Sequence, residues 1–298
     1  MSRDHLVRAL LPERNLRVLI AHTTGLSRHA ARIHQCLPTS AHVLAQTITG
    51  AALVGALGKD QQRVTLQIQG QGPVRGVFAE ASADGAIRAY IQAERIHFPE
   101  RDPMDLSYSL GPEGYLSILR ELASGEFYRG AVSLDHSRID RNLEYFFATS
   151  DQIPTAVAIE VLLDESEMIR RSVGLLVQRM PGGDDETLEL VKERLRQGAL
   201  RQALAEGDGR GLQLALSAFE GLGTLDILED QPLEYRCTCS RERAERGVIA
   251  AGEDEILEMV VKDKGAELSC EFCKSVYRFT AEELLGILDT IRQDGGSD

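Results

Sequence analysis

The chain is predicted to be α+β: a large N-terminal domain of antiparallel and mixed sheets with covering helices (residues 1–180), an amphipathic helical linker (181–232), and a small C-terminal zinc-binding domain (233–298). Three observations predict this. Residues 63–134 alternate apolar and polar positions in short runs separated by turn residues, the period of two that marks half-buried strands. Residues 188–222 repeat apolar positions at helical spacing. Four of the five cysteines fall between positions 237 and 273.

The first thirty-odd residues read as a short polar start, a strand at Leu16 to Ala21, and a helix from Leu26 to Cys36 that stops near Pro38. Thr39 to Leu57 is the longest apolar helical pattern and should be a core helix, with Gly58 as its C-terminal cap. Strands follow at Val64–Ile68, Val74–Glu80 and Ile87–Ile91, joined by turns at Gly70–Pro73 and Asp84–Gly85, and a further hairpin comes from Tyr115–Arg120 and Tyr128–Leu134. A helix through Leu143, Phe146 and Phe147 breaks at Pro154, and apolar strands occupy Thr155–Leu163 and Ser172–Met180. In the linker, Leu188, Val191, Leu195 and Ala199 form one stripe and Leu212, Ala215, Phe219 and Leu222 another, with a breaker at Gly207–Gly211. Gly198 interrupts the first stripe. Read as a helix interior, it makes that helix marginal, because glycine there costs about 1 kcal/mol relative to alanine. Thr280 should cap a closing helix to Ile291, with Glu283 in capping-box register.

Cys237-Thr238-Cys239 and Cys270-Glu271-Phe272-Cys273 are separated by thirty residues. Two close pairs joined by such a loop can close a tetrahedral four-thiolate zinc site, so Cys237, Cys239, Cys270 and Cys273 are the candidate ligands of Zn2+. The first pair has one intervening residue rather than the commoner two or more, which argues against an ordinary ribbon. The spacing leaves open whether the site is a permanent staple or a switch in which each pair closes a disulfide on metal loss. Cys36 stands alone and is read as a small buried hydrophobe without a role.

With 298 residues and 43% hydrophobic content the chain can bury a sizeable core. It has no run of about eighteen apolar residues, and its start carries charges through the apolar part, so neither a membrane span nor a secretory signal is expected and a cytoplasmic location is. Close cysteine pairs there point to metal binding or redox chemistry rather than structural disulfides. The net charge is -13; residues 1–180 are nearly neutral, while 181–232 and 233–298 each carry -6. Nucleic acid is disfavoured as a partner on that balance, despite Arg241, Arg243 and Arg246 close to the cysteines.

The run CTCSRERAERGVIAAGEDEILEMV followed by CEFCKSVYRF resembles the redox-switch domain of the heat shock protein 33 family, redox-regulated bacterial holdase chaperones. Phe146 to Thr155 and the strand VGLLVQRMPGG resemble the family's first domain, with Asp151 where glutamate is usual, Arg179 where an apolar residue is commoner and Ala89 where glycine is commoner. The resemblance covers nearly the whole chain. It implies an ATP-independent holdase, not an enzyme, that is inactive when reduced and zinc-bound. Oxidation would form disulfides Cys237–Cys239 and Cys270–Cys273, release zinc and unfold the linker, and the homodimer would then bind unfolding client proteins. It implies no catalytic residue and no membrane partner. Two other readings of the cysteines are a thiol-disulfide oxidoreductase, which would want one C-x-x-C at a helix start, and a zinc-ribbon adaptor binding RNA or a protein partner.

Overall fold

The computed structural model describes residues 4–58, 62–121, 124–206 and 217–295, and the chain divides into two compact units, Met1–Arg236 and Cys237–Asp298. The elements of the first unit are β1 (His5–Leu11), β2 (Leu16–His22), α1 (Thr24–Ile33), α2 (Pro38–Gly55), β3 (Arg63–Gly70), β4 (Gly76–Ser82), β5 (Ala86–Ile91), β6 (Gly114–Glu121), β7 (Phe127–Ser133), α3 (Ile139–Phe146), β8 (Thr155–Leu163), β9 (Ile169–Arg179), α4 (Asp185–Arg196), α5 (Ala199–Glu206), β10 (Asp226–Pro232) and the two-residue β11 (Glu234–Tyr235).

The strands form two sheets, one in the order β10-β1-β2-β9-β8 and one in the order β11-β5-β4-β3-β6-β7. All pairings are antiparallel except β11 on β5. Helix α2 packs against strands of both sheets, and every residue from Thr39 to Gly55 is buried. A helix enclosed on all sides must satisfy its polar groups internally. The Thr47 hydroxyl donates to the Val43 carbonyl at 2.9 Å, the Thr49 hydroxyl to that of Ala45 at 2.9 Å, and His42 Nε2 to the Val161 carbonyl at 3.2 Å. Burial pushes the His42 ring down to about 4, so it is neutral at pH 7. Gly174 of β9 makes the close approach possible, since a Cβ there would lie 2.6 Å from Thr49 Cγ2 and 2.8 Å from Leu53 Cδ1. The helix closes on Ala56 in the right-handed region and the Gly58 N–H bonds the Gly55 carbonyl at 3.0 Å, so the left-handed glycine cap expected at Gly58 does not form.

Alternation along β8 and β9 explains how the first sheet is used. Val157, Ile159 and Leu176 face α2, whereas Ala156, Ala158, Val173, Leu175 and Val177 face the other way. That second face, with Val18 and Ile20 of β2, is covered by Leu188, Val191 and Leu195 of α4, Leu200 and Leu204 of α5, and Phe219, Leu222 and Leu225. Leu188, Val191 and Leu195 of the first stripe, and Phe219 and Leu222 of the second, therefore find their cover on this sheet. Asp184 caps α4, accepting from the N–H groups of Glu186 at 3.0 Å and Thr187 at 3.4 Å.

Gly198 is not inside a helix. Its φ is +90°, its N–H closes α4 on the Leu195 carbonyl at 3.1 Å, and its own carbonyl accepts from Gln202 N–H at 2.9 Å to start α5. The expectation of a marginal helix interior is corrected to a left-handed joint between two helices. The predicted breaker at 207–211 and the stripe positions Leu212 and Ala215 lie outside the described residues. Strands β1, β10 and the short β11 are absent from the sequence reading, as is the hairpin at Gly265–Ser269 and Val276–Thr280 in the second unit. The polar start is β1, and the acidic end of the linker is β10, which pairs along it with a bulge between Arg8 and Ala9.

The second unit contains α6 (Arg241–Ala251), α7 (Glu253–Glu258) running into a π turn at Met259–Asp263, the hairpin β12 (Gly265–Ser269) and β13 (Val276–Thr280), and α8 (Ala281–Gly295). The predicted capping box forms: the Thr280 N–H donates to Glu283 Oε2 at 2.8 Å and the Glu283 N–H to Thr280 Oγ1 at 3.2 Å. Its buried apolar core comprises Val248, Ile256, Phe279, Leu284, Ile287 and Leu288.

Candidate metal centre

The four cysteines arrive from two segments that are fixed independently. Cys237 and Cys239 precede α6, whose N-cap Ser240 accepts from the Arg243 N–H at 3.3 Å. The guanidinium of Arg243 turns back to the Thr238 hydroxyl at 2.6 Å, holding the residue between the two thiols. Cys270 and Cys273 sit in the β12–β13 turn. There the Lys274 N–H donates to the Cys270 carbonyl at 2.8 Å, the Cys270 N–H to the Ser275 carbonyl at 2.9 Å, and Lys274 takes φ +57°, the left-handed step that reverses the chain.

All four Sγ atoms lie within 4.8 Å of one another. Two contacts cross the two segments, Cys237 to Cys270 at 3.7 Å and Cys239 to Cys273 at 3.3 Å. Tetrahedral sulfurs about 2.3 Å from a central ion stand about 3.8 Å apart, so this cluster is close to the size such a site requires. Among the described residues it is the group of three or more metal-type side chains that converges in this way.

Burial raises the thiols of Cys237, Cys239 and Cys270 above the ordinary cysteine range. Cys273 is also raised by burial, but hydrogen bonds from the side chain and backbone of Ser275 outweigh this and bring it to about 7. The Tyr277 hydroxyl donates to Cys239 Sγ at 3.1 Å and is itself pushed up to about 12 by that contact. Ser275 and Tyr277 are the polar groups beside the sulfurs to which the cysteine spacing gave no role; a hydroxyl two residues beyond the last cysteine, and another on the facing strand position, are the only signals the sequence carries for them.

Two of the three arginines singled out near the cysteines have structural partners. Arg241 lies over the Phe279 ring, 4.5 Å from its centroid, and donates to the Arg278 carbonyl at 2.8 Å, while Arg243 is held by Thr238. Cys36 is half-buried against the core, apart from the cluster. Asp151 holds Arg120 through two hydrogen bonds, 3.1 and 2.7 Å, Arg179 pairs with Asp185 at 3.0 Å, and the Ala89 side chain is buried in the core, so the three departures from the family pattern are accommodated locally.

Two sheets around an enclosed helix, an apolar sheet face covered by an amphipathic linker, and a four-thiol centre in a separate small unit define a class of protein with a metal-type cysteine module appended to a larger fold. The model of the family described as Hsp33 protein matches residues 4–280, and the chain belongs to that family. It is similar to the 33 kDa chaperonin of Bacillus subtilis (strain 168), 34% identical over 289 residues covering 96% of this chain and 98% of that one. It is also similar to the 33 kDa chaperonin of Staphylococcus aureus (strain Newman), 31% identical with 98% and 100% covered. The crystal structure of the 33 kDa chaperonin, heat shock protein 33 homolog, from Thermotoga maritima superposes with a TM-score of 0.87 at 25% identity, covering 98% of this chain and all of that one. The chain is thus an Hsp33-family chaperone with a cysteine cluster.

Proposed function

We propose that the protein is a redox-regulated, ATP-independent holdase, held inactive while Cys237, Cys239, Cys270 and Cys273 bind one zinc ion as thiolates. The observation that carries this reading is the convergence of four sulfurs, from segments thirty residues apart, in a unit with a six-residue apolar core. So small a core rarely stabilises a fold without a staple. Bound zinc supplies a redox-inert centre for four thiolates, and its binding free energy, on the order of 10 kcal/mol or more, is then folding free energy of the unit.

Oxidation acts on the chain's own sulfurs. Each pair, Cys237 with Cys239 and Cys270 with Cys273, loses two electrons and forms one S–S bond, while one hydrogen peroxide per pair takes up two electrons and two protons and leaves as two waters. A sulfur in a disulfide is no longer a thiolate ligand, so the staple is lost and the unit opens. The linker helices then leave the first sheet, and the apolar face formed by Val18, Ile20, Leu175 and Val177 becomes available to unfolding proteins. The active form is a homodimer in the cytoplasm, its partners are unfolding proteins rather than nucleic acid or membrane, and no residue acts as a catalyst.

The reading is tested by quantifying metal and free thiols in reduced protein and after peroxide, together with the disulfide pattern. One zinc and four ligand thiols in the reduced form, and none with disulfides inside each pair afterwards, are expected. Disulfides linking Cys237 to Cys270 or Cys239 to Cys273, which are also in contact, would overturn the assigned pairing. Zinc retained when all four cysteines are serine would overturn the site.

A further inference from the structure

A cavity of about 440 Å³ opens between α3, α4 and the start of β8, lined by His136, Arg141, Glu144, Tyr145, Lys192 and Arg196 together with Ala148, Gln152, Pro154 and Thr155. We propose that it is a binding site for a phosphate monoester of nucleotide size, and that occupancy clamps the linker in its docked position.

The linker carries -6 overall, yet α4 turns Lys192 and Arg196, four residues apart on one face, towards a cavity that Arg141 enters from α3. The one carboxylate in the lining is already used. Glu144 receives Arg141 Nη1 at 3.0 Å on both oxygens, and its Oε1 also accepts the Val157 N–H at 2.9 Å, which caps the outer edge of β8. Arg196 stands 3.9 Å from the same carboxylate and is half exposed. The Lys192 side chain is only 16% exposed, and its ammonium meets Glu189 at 2.6 Å, a same-helix pair that is 63% exposed on the acid side and weak for that reason. Three cations against the committed Glu144 and the mostly exposed Glu189 leave a surplus of one positive charge, rising to two where Glu189 turns to solvent, which suits a phosphate monoester, a dianion at pH above about 6.

The volume falls within the range of about 300–1,000 Å³ typical of small-molecule sites and exceeds what a bare phosphate fills. Tyr145, Ala148 and Pro154 offer an apolar wall, and Gln152 and Thr155 offer polar groups beside it, so an organic moiety on the phosphate has surfaces to meet. Because Arg141 belongs to α3 while Lys192 and Arg196 belong to α4, a ligand touching all three binds only while α4 is docked. At a hundred times its Kd it would lower the population of the undocked linker about 100-fold.

The experiment uses reduced, full-length protein at fixed ionic strength, so it stands apart from the zinc and redox reading. Titration calorimetry with inorganic phosphate and with a nucleoside 5′-monophosphate is paired with hydrogen exchange over residues 185–206. The expected result is one saturable site, at least tenfold tighter for the nucleotide, with exchange slowed in α4. Arg196→Gln and Lys192→Gln should each weaken binding at least tenfold while leaving the ligand-free thermal midpoint unchanged. Affinity that is the same for both probes overturns the ester assignment, affinity unaffected by either substitution overturns the site, and binding without slower exchange overturns the clamp.

Discussion

Replacing Gly198 with alanine tests how the linker is held, because the structure makes its outcome opposite to that of a glycine in a helix. At φ +90° an L side chain brings its Cβ against its own backbone, a cost of about 1–2 kcal/mol per residue for left-handed conformations. A Cβ at Gly198 would meet nothing within 4 Å, so no packing change adds to or relieves that backbone cost. The joint closes α4 and begins α5, so the strain falls on the docked linker rather than on the sheet beneath it. One to two kcal/mol corresponds to a factor of about 5–30 in an opening equilibrium. Hydrogen exchange of residues 185–206 in reduced Gly198→Ala should therefore be about 5–30 times faster than in the parent, and oxidised variant should activate at lower temperature. Gly198→Asn, whose side chain tolerates the left-handed region, should show a smaller effect. Slower or unchanged exchange in Gly198→Ala would refute the joint and restore a helical Gly198.

Cys273→Ser removes one of four ligands and should lower zinc content and give partial suppression of client aggregation without oxidant, measured by metal analysis and light scattering; a metal-depleted variant as inert as the reduced parent would break the link between the module and the client surface. Gly174→Ala places a Cβ against Thr49 and Leu53 and should cost about 1–3 kcal/mol by overpacking, read as a lower denaturation midpoint of the first unit. His42 is held down to about 4 against 6.5 in the unfolded chain, so the unfolded state binds the extra proton and stability falls as pH drops from about 6.5 towards 4, by up to about 3 kcal/mol. Denaturation of the parent and of His42→Gln across that range should show this slope in the parent and its loss in the variant.

The sequence was most informative where the determinants are local or chemically singular. Thr155–Leu163 was bounded correctly because Pro154 and a continuous apolar run mark it, and Thr280 with Glu283 announced a cap that needs only three residues to form. The four cysteines were legible because two close pairs separated by a loop are a spacing that closes a four-ligand metal site. β10 and the enclosure of α2 were missed because they depend on distant partners. β10 reads DILEDQP, acidic, largely exposed and ending in proline; it is a strand because β1 lies beside it, with Arg8 reaching Glu229 and Gln231 at 2.7 Å. Helix α2 is predicted by its apolar content, but its enclosure between two sheets follows from topology and from small residues such as Gly174 on the facing strand. Gly198 was ambiguous because glycine fits both a weak helix interior and a left-handed joint, and only the backbone angle separates them.

The central claim is that one four-thiol centre governs exposure of a client-binding surface. Its most direct test measures zinc content and suppression of client aggregation on the same sample, before and after peroxide at elevated temperature. The account predicts about one zinc per chain and no suppression in the reduced protein, then zinc loss and suppression appearing together, both reversed by reductant and zinc. Suppression by reduced protein that still holds its full zinc, or zinc loss with no gain in suppression, would contradict it.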